Sequence, residues 1–165
     1  MTEEKNIRNY NDSDLAEMLT IFNHFARESF AVYSDSELNI SQFKKMIEQA
    51  RIILVLLRNE KLIGFGYISS YKPYSNFERT GVLTYFIRAD YTGKGYGTKL
   101  FDELILRGKR VGITNYLAHV SSKNEQSLRF HEKHGFEEVG RFKNVAVKFG
   151  ELIDVVWVQK QYGGL

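Results

Sequence analysis

The sequence predicts an α/β or α+β fold: a central mixed, twisted sheet of about seven strands with helices on both faces. Two observations carry this. Read along the chain, the apolar patterns give the order β-α-α-β-β-β-α-β-α-β-β. Within that order, Val82 to Val120 reads strand–glycine turn–helix–strand, the pattern of a parallel crossover. No linker or internal repeat interrupts residues 1–165, so one domain is expected.

The elements follow in order. Ile7-Arg8-Asn9-Tyr10 forms a short first strand. Asn11-Asp12-Ser13-Asp14 supplies N-cap residues for a helix through Glu28, whose apolar side is Leu15, Met18, Leu19, Phe22 and Phe25. Phe30–Leu38 is a loop, and Ser41–Arg51 a second helix with Phe43, Met46 and Ile47 on one side. Ile52–Leu57 is a buried strand that turns through Asn59-Glu60-Lys61 into Leu62–Ser70. Tyr71–Thr80, with the single proline Pro73, is a surface loop. Val82–Ile87 is the next strand, Thr98–Val111 a helix, Thr114–Val120 a strand and Asn124–His134 a helix. Glu137–Phe142 and Asp154–Gln161 complete the sheet.

Composition removes several function classes. The net charge of +3 is modest and no Lys/Arg block suggests nucleic-acid binding, although a slightly basic surface suits an anionic small ligand. There are no cysteines, which excludes disulfides, thiolate metal sites and a cysteine nucleophile, and no metal is expected. The polar, charged start is unlike a signal peptide, and Ile52–Leu57 is too short to cross a bilayer. A cytoplasmic protein is expected.

The stretch 83–106 holds the chemistry. Gly93, Gly95 and Gly97 alternate between a strand and a helix. Glycine permits a tight turn and close ligand approach. The helix that follows presents unpaired N–H groups at its positive end, so the junction suits a pyrophosphate. Ligands of such folds lie beyond the carboxyl ends of strands, which is where this turn falls. A P-loop is excluded because Gly97 is followed by Thr98-Lys99, the wrong order. A dinucleotide fingerprint is excluded because the third glycine comes one residue early, and kinase motifs are absent.

Thr92-Gly93-Lys94-Gly95-Tyr96-Gly97 resembles the Gln/Arg-x-x-Gly-x-Gly/Ala cofactor motif of the GNAT superfamily of acyl-CoA-dependent N-acyltransferases, with Thr92 at the Gln/Arg position. Asn124–Phe136 resembles that family's second signature, Asn-x-x-Ala/Ser…Tyr/His-Glu-x-x-Gly-Phe. Within the superfamily the chain is similar to the phosphinothricin-type acetyltransferases. Ile21-Phe22-Asn23-His24 with Glu28-Ser29, and Val147-Lys148-Phe149-Gly150…Asp154 with Gln159, carry that likeness, which runs from Ile7 to Gln159.

The resemblance implies direct acetyl transfer from acetyl-CoA to the primary amine of a small molecule, an amino acid or its analogue among them, by a homodimer. Backbone groups of Tyr85, Phe86, Ile87 and Arg88 are then expected along the pantetheine. Amides of Gly93, Lys94, Gly95, Tyr96, Gly97 and Thr98 are expected at the pyrophosphate, with Asn124 and Ser127 lining the channel. His131 takes the family's tyrosine or histidine position beside the leaving thiolate, where an imidazole can handle a proton near neutral pH.

The acceptor side departs from the pattern. Val82 stands where the phosphinothricin-type enzymes have a glutamate base, and Tyr74 where they have an arginine for the acceptor carboxylate; Arg79 is nearby. Glu28 is the leading replacement base. His119 either faces the acceptor or packs within its strand, and His24 reads as packing or capping. Tyr71, Tyr74, Phe77, Tyr33 and Phe30 are candidates for an aromatic acceptor pocket or a dimer contact. The alternatives are a GNAT-fold CoA-binding protein with little catalysis, which Val82 favours, and a protein N-terminal acetyltransferase.

Overall fold

The computed structural model describes residues 6–163; the charged start at residues 1–5, read against a signal peptide, lies outside them. Strands β1 (Asn6–Asn9), β2 (Ala50–Arg58), β3 (Lys61–Ser70), β4 (Thr80–Ile87), β5 (Asn115–Ser121), β6 (Glu137–Lys148) and β7 (Glu151–Gln161) form one sheet, ordered β1-β2-β3-β4-β5-β7-β6. Neighbours are antiparallel except β4 and β5, which run parallel. Helices α1 (Leu15–Glu28) and α2 (Ile40–Ile47) pack on one face, and α3 (Tyr96–Arg110) and α4 (Glu125–Lys133) on the other.

β2 shows why the fold has two cores. Its run is continuously apolar because both of its faces are covered. Leu54 and Leu56 join Leu100, Phe101 and Leu104 of α3, whereas Val55 joins Met18 and Phe22 of α1 and Phe43 and Ile47 of α2. Each such side chain contributes about 1.5–3 kcal/mol on burial. The Asn59-Glu60 turn has both residues at positive φ, as a two-residue hairpin needs.

Helix starts are set by side chains. Asn11 and Asp14 form a capping box around a short 3-10 turn before α1, and Arg8 donates to both carboxylate oxygens of Asp14, at 2.8 and 2.9 Å. Asn39 and Gln42 form a second box at α2.

Two regions differ most from the sequence reading, while β4 and α3 each begin two residues earlier than read, at Thr80 and Tyr96. α2 stops at Ile47, and Ala50 and Arg51 belong to β2, where Ala50 pairs with Ser69. Glu48, Gln49 and Ala50 are adequate helix formers, so only the sheet contact ends the helix. β6 continues past Phe142 to Lys148 after an irregularity at 143–145, and β7 starts at Glu151. Asn144 there adopts positive φ, and its N–H donates to Asp154, which also accepts from Arg141. A bulge of this kind breaks the alternation by which strands are read.

The feature that positions the site is a parting of strands. β4 and β5 are paired only at Thr80–Asn115, Gly81–Tyr116 and Val82–Leu117. From Leu83 to Ile87, the β4 edge facing β5 has no strand of the described residues against it, while its other edge stays paired with β3.

Candidate functional site

A cavity of about 740 Å³ opens in that gap, within the range of small-molecule and cofactor sites. One side is built from β4, the glycine turn and α4. Leu83, Tyr85, Ile87, Gly93, Gly95, Gly97, Thr98, Asn124, Ser127 and His131 line it. The other side is α1, the segment linking α1 to α2, and the opposite face of β4; Phe22, Phe25, Val32, Tyr33, Leu38 and Phe86 line it, with His119 of β5.

The glycine turn is shaped for an anion. Gly93 and Gly95 have φ of 73° and 82°, and a Cβ at either would meet no protein atom within 4 Å. Their requirement is conformational, and the space beside them stays open to a ligand. The first helical bond of α3 runs from Lys99 N to Gly95 O, so the N–H groups of Tyr96, Gly97 and Thr98 lie ahead of it. Together with the open β4 edge, these donors suit a ligand with an extended amide-bearing arm and a pyrophosphate. Asn124 caps α4 through Ser127 N. His134 ties α4 to α3, accepting from or donating to Thr98 at 3.3 Å while stacked on Phe130.

His131 is 3 % exposed and fully engaged. Its Nδ1 lies 2.7 Å from the Ser127 carbonyl oxygen, and its Nε2 lies 2.6 Å from the Tyr85 hydroxyl. A carbonyl only accepts, so Nδ1 carries the proton and Nε2 accepts from Tyr85. Burial holds the His131 pKa below the ordinary imidazole value, opposed by the Ser127 bond and aided by nearby His134. Burial likewise raises the Tyr85 phenol well above its usual range. The resting pair is therefore neutral, with a bare nitrogen behind a hydroxyl.

His119 also meets a tyrosine hydroxyl across the gap. Its Nδ1 is 3.0 Å from the Tyr33 hydroxyl, its ring stacks on Tyr33, and Trp157 lies 4.9 Å away between ring centres. Its outer edge remains exposed, but these rings remove enough water to lower its pKa below the usual value. Burial pushes the Tyr33 phenol up to about 12. The segment carrying Tyr33 is held from both sides. Asn23 exchanges two 2.9 Å bonds with the Leu38 backbone, and Lys148 of β6 donates to the carbonyls of Val32 and Ser34 at 2.6 and 2.9 Å.

Nine of the twelve cofactor-site residues named from sequence line the cavity; Arg88, Lys94 and Tyr96 do not. Arg88 pairs with Asp90, Lys94 donates to the Asp90 carbonyl, and the Tyr96 ring is in the core, leaving only their backbone groups near the turn. Glu28 ends α1 with its side chain 62 % exposed beside Arg27, and does not line the cavity. Arg79 and Val82 are also absent from its lining. The aromatic group divides. Tyr33 lines the main cavity, Tyr71 and Phe77 line a separate cleft with Trp157, Phe30 packs on Phe149, and Tyr74 is exposed. Sequence reasoning missed the Tyr33–His119 contact and the role of Lys148; they join residues 86 and 116 positions apart, which no local pattern reveals.

Comparison with known proteins decides the family. Residues 16–136 match the acetyltransferase (GNAT) family. The chain belongs to that family. It is 31 % identical over 160 residues to a phosphinothricin N-acetyltransferase of Alcaligenes faecalis, covering 93 % of this chain and 81 % of the relative. It is 26 % identical to an L-methionine sulfoximine/L-methionine sulfone acetyltransferase of Salmonella typhimurium, covering 94 % and 93 %. The yncA structure from Salmonella typhimurium, solved with its cofactor acetyl-CoA, superimposes with a TM-score of 0.87 at 25 % identity, covering 98 % and 96 %. This GNAT protein is an acetyl-CoA-dependent N-acetyltransferase. Its fold is the mixed seven-stranded one read from the sequence. Among the described residues no helix is long and apolar enough to cross a membrane.

Proposed function

We propose that the enzyme acetylates the primary amine of a small molecule by direct transfer, with His119 as the base on the acceptor side. The observation that carries this is the cavity's lining: among the described residues no aspartate or glutamate contributes to it, and on the acceptor side His119 is the group that titrates near neutral pH, Tyr33 and Tyr67 being phenols whose pKa burial raises. In the tautomer that donates Nδ1–H to Tyr33, its Nε2 is bare and takes a proton from the incoming ammonium. The neutral amine then forms its bond to the thioester carbonyl carbon. The amine nitrogen sheds its second proton to the Tyr85 hydroxyl, which hands its own to His131 Nε2. As the carbon–sulfur bond breaks, the same two groups reverse the exchange and the proton ends on sulfur. Both histidines start neutral, as their lowered pKa values favour.

Donor binding along the open edge of β4, with the pyrophosphate at Gly93–Thr98 and Asn124 and Ser127 beside the arm, supplies the orientation that such a transfer needs. Thr92 in the family's Gln/Arg position leaves this binding to backbone amides. Small-molecule acceptors are supported by the names of both relatives. We further propose a homodimer in the cytoplasm, where acetyl-CoA is available. Its support is the edge strand β6 and its hairpin, on which Val139, Phe142, Val145, Val147 and Leu152 are all exposed.

The test is acceptor-dependent release of free thiol from acetyl-CoA. His119→Gln should lower kcat by about 10²–10⁴, the range of a general base, with acetyl-CoA affinity unchanged. Unchanged turnover in His119→Gln removes it from the role. Acetyl-CoA binding without thiol release for any amine supports the reading of a CoA-binding protein instead.

A further inference from the structure

The acceptor side of the cavity is lined mainly by apolar side chains; its polar groups are Tyr33, Ser34, Tyr67, Thr84 and His119, with no Asp, Glu, Arg or Lys among the described residues. Phe22, Phe25, Val32, Leu38, Met46 and Phe86 line it. The rings pack on one another, Phe86 lying 5.8 Å from Phe22 and 5.6 Å from Phe25 between centres. Of the basic side chains in the lining, Lys133 and His131 belong to α4 across the cavity, and burial holds both His131 and His119 toward their neutral forms. Lys148 bonds to the backbone of this wall. It is buried behind the wall, and two of its donors are committed to the Val32 and Ser34 carbonyls. Arg79 does not line the cavity; its carbonyl accepts from Thr114 and Asn115.

Such a surface has a clear preference. A carboxylate next to the reacting nitrogen would be brought out of water against mainly aromatic and aliphatic carbon, with neutral hydroxyls but no cation of the described residues to meet it. A second ammonium fares no better, because no carboxylate of the described residues lines the cavity. An apolar body gains on entering by burying its own surface.

We propose that the acceptor is an apolar primary amine without a carboxylate, aryl-alkyl amines being the class that fits these walls. This rests on the acetyl-transfer reading above, and it departs from the amino-acid analogues for which the two relatives are named.

The experiment compares kcat/KM of the full-length enzyme for 2-phenylethylamine, phenylalaninamide, phenylalanine and 1,4-diaminobutane, with acetyl-CoA saturating. The amide keeps the bulk beside the nitrogen while removing the charge. The expected result is 2-phenylethylamine and phenylalaninamide each at least tenfold above phenylalanine, with the diamine lowest. Phenylalanine equal to or better than its amide overturns the proposal and leaves acetyl transfer intact. A preference for the diamine overturns it in the same way. Acetyl-CoA binding by calorimetry with no amine acetylated overturns the transfer reading itself, and the proposal with it.

Discussion

Replacing Lys148 with methionine tests how the acceptor wall is held. Lys148 is 1 % exposed and sits at the end of β6, yet it fixes a segment 114 to 116 residues earlier in the chain. Asp35 offers it only a longer-range attraction, and burial lowers its pKa from the usual lysine value. Each hydrogen bond from a charged donor is worth about 1.5–3 kcal/mol net. Losing two of them, and orphaning two carbonyls, is offset by no longer burying an ammonium. A net loss of about 2–3 kcal/mol follows, or roughly 4–12 °C in Tm for a chain of this size. The kinetic effect should be selective, because Val32, Tyr33 and Ser34 line the acceptor side while the glycine turn is untouched. In steady-state thiol-release assays, KM for the amine should rise several-fold and KM for acetyl-CoA should hold. Lys148→Arg, which keeps donors and charge, should recover part of both effects. A Lys148→Met enzyme with wild-type Tm and wild-type amine KM would refute the reasoning.

Four further outcomes are expected. Tyr85→Phe leaves the bare Nε2 of His131 without its hydroxyl and should lower kcat at least tenfold, with little change in amine KM; thiol-release kinetics read both. Gly95→Ala forces an alanine to φ of 82°, costing about 1–2 kcal/mol, and should weaken acetyl-CoA in calorimetry. In Gly97→Ala the new methyl would meet Phe130 at an ordinary 3.5 Å, so its melting temperature should stay close to wild type. Stability should fall on acidification below about 6.5. The native pKa values of His119 and His131 are lowered, so between those values and 6.5 the unfolded chain binds more protons, and stability rises with pH there. Denaturant titrations should show a smaller slope for His131→Phe than for the wild type in that window.

The parts of the molecule visible in its sequence are those written in local patterns. The Leu15–Phe25 and Leu100–Ile105 spacings mark helices packed on a sheet, and the glycine turn with the Asn124–Phe136 helix marks the donor site. What stayed hidden depends on distant contacts. The parting of β4 from β5 is set by a register of three pairs, which neither strand states alone. Tyr33 and His119 are brought together by the whole sheet, and Lys148 was visible only as part of a C-terminal motif without a task. Glu28 illustrates the converse. A carboxylate at the end of the first helix suits the acceptor side in one dimension, but the last turn of α1 directs it to solvent beside Arg27. The β6 bulge and the early end of α2 are likewise decided by strand pairing, with Asp154 holding Asn144 and Ala50 recruited beside Ser69.

The assignment of His119 as base is tested most directly by titrating its imidazole by NMR in the acetyl-CoA complex. Its pKa should lie below 6.5, the ordinary histidine value. It should also coincide with the pH at which kcat/KM for the amine falls to half on the acid side. An imidazole that titrates normally, or at a pH distinct from the kinetic transition, contradicts the assignment.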